Sequence, residues 1–261
     1  MKPSNSDTEA GMGPSRLHAP RARCPQCATL SMCLMGCLPA ASRELLAPCV
    51  EESHFAKGDL LLPEGQVAQQ VSIVKIGAVM GSRQGSDGHA HPVALFGRGK
   101  TLGEYAIYGH REQISVIALS AGRICRMDVP EFYRLGVVDR KFHACVQTRI
   151  VRSHGRLADW SRVMRIKGLQ QKLLAALHLY ASEQRSRVMR LPSHVALASL
   201  LSTTRETIAR SLRQLEEGAH ILRHDRWHCE IIEPKVAQAT TGGGAEKPLN
   251  SRSTGSPRPE Q

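Results

Sequence analysis

LPSHVALASLLSTTRETIARSLRQLEE, residues 191–217, holds two short helical periods separated by Ser-Thr-Thr. Ser193 stands where a side-chain cap opens the first helix, and Thr203 with Glu206 has capping-box spacing for the second. With about 100° between successive residues, Ile208, Leu212 and Leu215 gather on one arc of the second helix. Arg205, Glu206, Ala209, Arg210 and Arg213 gather on the adjoining arc. The apolar arc docks on the first helix and leaves the charged arc outward. The stretch therefore reads as helix–turn–helix. Ile221–Arg223 and His228–Glu233 follow as two strands joined by His224-Asp225-Arg226, a loop without the usual glycine.

Charge points the same way. The 261-residue chain carries 35 Lys and Arg against 23 Asp and Glu, and residues 149–235 hold 16 of those bases against 8 acids. Such an excess suits a polyanionic partner. Arginine bonds bidentately to guanine O6 and N7, and glutamate accepts from the cytosine amino group. An outward Arg205-Glu206-x-x-x-Arg210 at a helix N-terminus is equipped to read base edges of a G-containing half-site. The competing reading is an exposed helix with a Glu206–Arg210 pair, worth a few tenths of a kcal/mol.

Working back toward the N-terminus, residues 55–127 read as short strands punctuated by glycines: Asp59–Leu62, Val71–Ile76, Ala78–Gly81, His91–Phe96 and Ser115–Met127. Turns at such regular spacing predict an antiparallel barrel or roll. The period then changes. Val146, Ile150, Ser153, Leu157, Trp160 and Met164 step by 4, 3, 4, 3, 4, a seam that suits a helix paired with its own copy, although Ser153 within it and Gly155 beside it fit equally an ordinary amphipathic core helix. Leu169–Ala181 is a further amphipathic helix, with Leu173, Leu174, Leu177 and Tyr180 on one face.

The ends differ in character. Residues 1–23 and 237–261 lack apolar periodicity and are expected to be a disordered leader and tail. No apolar run reaches the length of a membrane span, and the start has no secretory h-region, so a cytoplasmic protein without membrane association is expected. No P-loop, dinucleotide fingerprint or nucleophile–base arrangement is evident, and an enzyme is not expected.

In that compartment cysteines are thiols or metal ligands. Cys24-Pro-Gln-Cys27, five residues, then Cys33 form a compact cluster, with Cys37 close behind and Cys125 on the last expected strand of the roll. CxxC alone suits zinc, a redox pair or an iron–sulfur group. Cys49, Cys145 and Cys229 are isolated and read as buried small hydrophobes.

A glycine-punctuated roll, a long helix and a helix–turn–helix with Thr-Arg-Glu-Thr-Ile-Ala-Arg together resemble the CRP/FNR family of bacterial transcription regulators, over residues 38–235. The resemblance implies an α+β chain: a cyclic-nucleotide-binding-like β-roll, a long dimerisation helix and a C-terminal winged helix–turn–helix. Its divisions would be 1–23 leader, 24–37 Cys-rich segment, 38–138 roll, 139–165 helix, 166–236 DNA-binding domain and 237–261 tail. It implies a homodimer joined through Val146, Ile150, Leu157, Trp160 and Met164, reading an inverted repeat in double-stranded promoter DNA and contacting RNA polymerase. Thr204, Arg205, Glu206, Arg210 and Arg213 would face the DNA.

The signal is narrowed by residue comparison. Cyclic-nucleotide members seat phosphate on a Gly-Glu pair and an Arg eleven residues after the Gly. Here Gly103-Glu104 is present, but Ile114, followed by Ser115, takes the Arg position, and Arg111 lies three residues early. Isoleucine offers phosphate nothing, so a cyclic nucleotide is not expected. The thiol pattern instead resembles the oxygen-sensing branch, which implies a [4Fe-4S] cluster on Cys24, Cys27, Cys33 and Cys125. The open alternatives are Cys37 replacing Cys33 or Cys125, structural zinc, a thiol switch without a cofactor, and a small-ligand-responsive regulator.

Overall fold

The computed structural model describes residues 24–225 and 227–232; the expected leader and tail lie outside them. The described residues open with two 3-10 turns, Cys24–Gln26 and Leu30–Met32, then α1 (Leu34–Cys37) and α2 (Ala40–Leu46). Eight strands follow: β1 (Glu51–Phe55), β2 (Leu60–Leu62), β3 (Gln70–Ile76), β4 (Val79–Gln84), β5 (Ala90–Phe96), β6 (Thr101–Leu102), β7 (Ser115–Ala118) and β8 (Gly122–Asp128). They form two antiparallel four-stranded sheets, ordered β1-β8-β3-β6 and β2-β7-β4-β5. Phe55, Val74, Phe96, Leu102, Val116 and Ile124 fill the space between them, as the roll reading expects. Ser115–Met127 is two strands rather than one. It breaks at Leu119-Ser120-Ala121, where the chain passes from one sheet to the other.

After α3 (Val129–Arg134), the long helix α4 runs Arg140–Met164. The Asp139 carboxylate accepts from Phe142 N–H at 2.7 Å and caps its start. Phe132 and Phe142 pack with ring centroids 5.3 Å apart, in a core that also takes Leu34, Met35, Ile73, Met127 and Val146. That core joins the Cys segment, one face of the β1–β8 sheet and the first half of α4.

The C-terminal unit comprises α5 (Leu169–Gln184), β9 (Val188–Arg190), α6 (His194–Leu200), α7 (Arg205–Glu217), β10 (Ile221–Arg223) and β11 (His228–Ile231), with a small sheet ordered β10-β11-β9. Its core is continuous with Ala78, Met80, Leu95 and Leu119 of the roll and with Trp160 and Val163 of α4. Glu183 ties the junction. Its carboxylate accepts from Gly97 N–H (3.0 Å) and pairs with Arg156 Nε (2.7 Å), and its backbone carbonyl accepts from Arg98 N–H (3.3 Å). A Cβ at Gly97 would lie 2.7 Å from that carbonyl oxygen, so the approach needs glycine. No helix among the described residues is long and apolar enough to cross a membrane.

Candidate functional site

Cys24, Cys27, Cys33 and Cys125 line one small cavity, with Thr29, Leu30, Met35, Val50, Ile73 and Lys75 completing its walls. Three thiols come from the N-terminal turns, where Cys27 N–H bonds to Cys24 carbonyl at 3.1 Å and Leu30 N–H to Cys27 carbonyl at 2.9 Å. The fourth comes from β8, where Cys125 lies opposite Glu52 of β1 and Ile73 of β3. Gly36 allows the arrangement: a Cβ there would sit 1.8 Å from the Leu30 carbonyl oxygen, so only glycine lets α1 close on the preceding turn.

Burial raises the pKa of Cys24 and Cys33, helped at Cys24 by the neighbouring Cys33 and Cys27 sulfurs, and pushes Cys125 up to about 12. As free groups these are protonated thiols, and a metal would have to displace their protons. Lys75 favours the thiolate form of Cys24 and Cys125, and Glu52 holds its Nζ at 2.5 Å. Four soft donors, apolar walls and one cation suit an anionic iron–sulfur group. The volume, about 20 Å3, is that of a water-sized space. Loading therefore requires the segment to open around the group. Among the described residues no three His, Cys, Asp or Glu side chains are placed to hold a single metal ion.

Cys37 lies elsewhere. Its backbone carbonyl accepts from Cys145 Sγ at 2.9 Å on α4. Cys145 is buried, as read, but it is Cys37's neighbour rather than an isolated residue. No local sequence signal could have paired positions 108 residues apart. Cys229 is buried in the C-terminal core, and Cys49 is half-buried and donates to the Glu131 carboxylate at 3.3 Å.

The roll encloses a second cavity of about 70 Å3 beside α4, and Ile114 is part of its wall. Lys100 Nζ bonds to Glu104 (2.8 Å) and Ser153 (2.6 Å) and stands 4.9 Å from the Phe96 ring centroid. Glu112, 3% exposed, has a buried Oε1 without a partner among the described residues. Burial, reinforced by Glu104, raises its pKa to about 7.

In the C-terminal unit Arg205, Glu206, Ala209, Arg210 and Arg213 are exposed on α7, while Ile208, Leu212 and Leu215 are buried, as the wheel predicts. Ser193 Oγ accepts from Ala196 N–H at 3.2 Å and caps α6 as expected. The cap of α7 is Thr204 rather than Thr203: its Oγ1 accepts from Thr207 N–H at 3.2 Å. Ser202 takes φ +52° in the turn between the helices. In the following hairpin, Asp225 accepts from Trp227 N–H (2.5 Å) and His228 N–H (2.8 Å), which shapes the loop without glycine. β11 ends at Ile231, Glu233 of the expected strand lies outside the described residues, and β9 is an unforeseen third strand.

The expected pairing seam of α4 requires correction. Val146 (1% exposed) and Trp160 (2%) are buried within their own chain, and Trp160 Nε1–H donates to the Pro92 carbonyl at 3.1 Å. Ile150, Leu157 and Met164 pack partly on the same three cores. The seam is apolar because the roll and the C-terminal unit cover it. The outward face instead carries Ala144, Thr148, Val151, Gly155 and Ala158, also spaced 4, 3, 4, 3. Val151 is 67% exposed, and the space over Gly155 is open.

Residues 52–136 match the family described as the cyclic nucleotide-binding domain. No curated protein sequence matches the chain. Among solved structures, FixK2 from Bradyrhizobium japonicum is 17% identical with a TM-score of 0.59, over 70% of this chain and 93% of that one. A CRP-family transcriptional regulator from Thermus thermophilus is 16% identical with a TM-score of 0.53, over 69% and 92%. The c-di-GMP-responsive regulator CLP of Xanthomonas campestris is 13% identical with a TM-score of 0.56, over 75% and 100%. The chain shares the fold of these regulators.

Proposed function

We propose that the chain is a homodimeric, sequence-specific DNA-binding transcription regulator that senses oxygen through a [4Fe-4S] cluster on Cys24, Cys27, Cys33 and Cys125. The observation that carries the sensor reading is that these four thiols, from two distant parts of the sequence, share one cavity. A bound cluster supplies an oxygen-labile tie between the N-terminal segment and the roll. Arg149 of α4 donates to the carbonyls of Met32 and Cys33, so the order of that segment is linked to the long helix. A shift of a few kcal/mol in helix pairing is enough for a switch.

On this reading residues 166–236 are the winged helix–turn–helix domain, and α7 enters the major groove with Arg205, Glu206 and Arg210 on base edges. Arg213 and Thr204 flank them. The exposed charged arc and the excess of basic residues support that role. The two-fold partner packs on Ala144, Thr148, Val151, Gly155 and Ala158, small side chains that let helices approach closely. The dimer reads an inverted repeat at promoters, where it contacts RNA polymerase. Ile114 in the roll speaks against a cyclic-nucleotide signal. Cys37, turned to Cys145, speaks against a four-thiolate zinc site confined to the N-terminal segment.

The test is an anaerobic absorption spectrum with iron and sulfide counts for wild type and Cys125→Ser. The expected wild type is brown, with sulfide-bearing iron and DNA affinity that falls in air; Cys125→Ser assembles little iron. A colourless wild type after anaerobic reconstitution removes the sensor assignment and leaves DNA binding to be judged separately.

A further inference from the structure

A third cavity, of about 230 Å3, lies where the loop between β5 and β6, the middle of α4 and the end of α5 meet. Six cationic side chains face it: Arg98, Lys100, Arg149, Arg152, Arg156 and Arg185. Two carboxylates answer them, Glu104 on Lys100 at 2.8 Å and Glu183 on Arg156 at 2.7 Å. Among the described residues Arg98, Arg149, Arg152 and Arg185 have no carboxylate partner. Arg98 bonds through Nε to Thr29 Oγ1 at 2.9 Å, and Arg149 to two backbone carbonyls.

A structural role accounts for part of this set and not for the rest. Arg156 fastens the junction, and Arg149 holds the Cys segment. Arg149 is only 8% exposed, yet its Nε is buried with no partner among the described residues. The walls are polar and carry no aromatic side chain on which a base could stack. The loop is fixed in place: Gly99 has φ +82°, and a Cβ there would lie 2.7 Å from that of Met32.

We propose that this cavity binds a compact phosphoryl polyanion of the diphosphate class, one per chain. Guanidinium groups match phosphoryl oxygens bidentately. The charge in excess over the two carboxylates suits a group carrying three or four negative charges. The ligand would bridge the Cys segment, roll, long helix and C-terminal unit at one point. The site rests neither on the cluster nor on DNA contact.

The experiment is calorimetric titration of the full chain with pyrophosphate, ADP, phosphate and sulfate at constant ionic strength, without DNA. Pyrophosphate should saturate at one per chain and bind at least tenfold more tightly than sulfate. Arg152→Ala with Arg185→Ala, at the outer rim, should weaken it at least tenfold without lowering the melting temperature of the unliganded protein. ADP binding as tightly as pyrophosphate identifies the diphosphate moiety of a nucleotide as the source. Pyrophosphate alone binding identifies the free ion. Equal affinity for sulfate and pyrophosphate, or a double variant that binds as well as wild type, overturns the proposal.

Discussion

Arg149 Nη2 donates to the backbone carbonyl of Cys33 at 2.7 Å, across 116 residues of sequence. With its Nη1 on the Met32 carbonyl, one guanidinium holds the thiol-bearing segment against the long helix. Arg149→Met keeps the bulk and leaves both carbonyls without that donor, a loss of about 1–3 kcal/mol. Hydrogen exchange should rise for amides of residues 30–38 and stay near wild type in β4 and β5. Unchanged protection in 30–38 would show that the segment is held by something else.

The thiols should separate into two groups. Cys24→Ser, Cys27→Ser, Cys33→Ser and Cys125→Ser each remove a donor from the shared cavity and should lower reconstituted iron severalfold. Cys37→Ser lies beside Cys145 and should load as wild type. Iron lost equally on Cys37→Ser would return Cys37 to the ligand set.

The two faces of α4 should respond differently. Val151→Glu puts two carboxylates into the proposed pairing face and should convert dimer to monomer in light scattering, with the melting temperature of the monomer preserved. Trp160→Ala removes a buried ring and should cost about 3–5 kcal/mol of folding stability. The folded Trp160→Ala fraction should still pair. A dimer that survives Val151→Glu places the interface elsewhere.

Arg205→Ala and Arg210→Ala should each weaken binding to a specific duplex by about 1–3 kcal/mol and relax the preference for guanine. Arg162→Ala, on the exposed far end of α4, is the control. Affinity and salt slope unmoved by either α7 substitution would end the readout assignment.

Glu112 gives stability a pH signature. Its carboxyl titrates near 7 when folded against 4.5 ordinarily, so between those values the folded state binds the extra proton. Stability should therefore fall as pH rises from about 5 to about 7, the loss being complete above that window and on the order of 3 kcal/mol. Glu112→Gln should remove the slope and be the more stable protein at pH 8. Parallel curves for the two proteins would contradict the shift.

Most of the roll was legible because its strands alternate between glycine turns. β1 escaped notice because Glu51, Glu52, Ser53 and His54 give it little apolar signal and only Phe55 is buried. The charged arc of α7 followed from the wheel. The α4 seam misled for a physical reason: a 4-3 spacing tells that a helix face is apolar, not whether a second copy or the chain's own sheets cover it. The true outward stripe is made of small residues with little hydrophobic weight. The basic cavity was beyond reach, since Arg98, Arg149 and Arg185 meet only through the tertiary fold. The four thiols of the shared cavity were chosen through a resemblance; spacing alone had left Cys37 an equal candidate.

If the chain reads DNA as proposed, the clamp at Glu183 has a mechanical meaning for it. With the end of α5 bolted to the strand end at Gly97 and braced by Arg156, each reading helix sits on a stiff ruler instead of a tether. In a two-fold pair such rulers fix the span between the halves of the target. An operator lengthened by one base pair between its halves would then be rejected even with every contacted base intact, because engaging it would mean prising the clamp open.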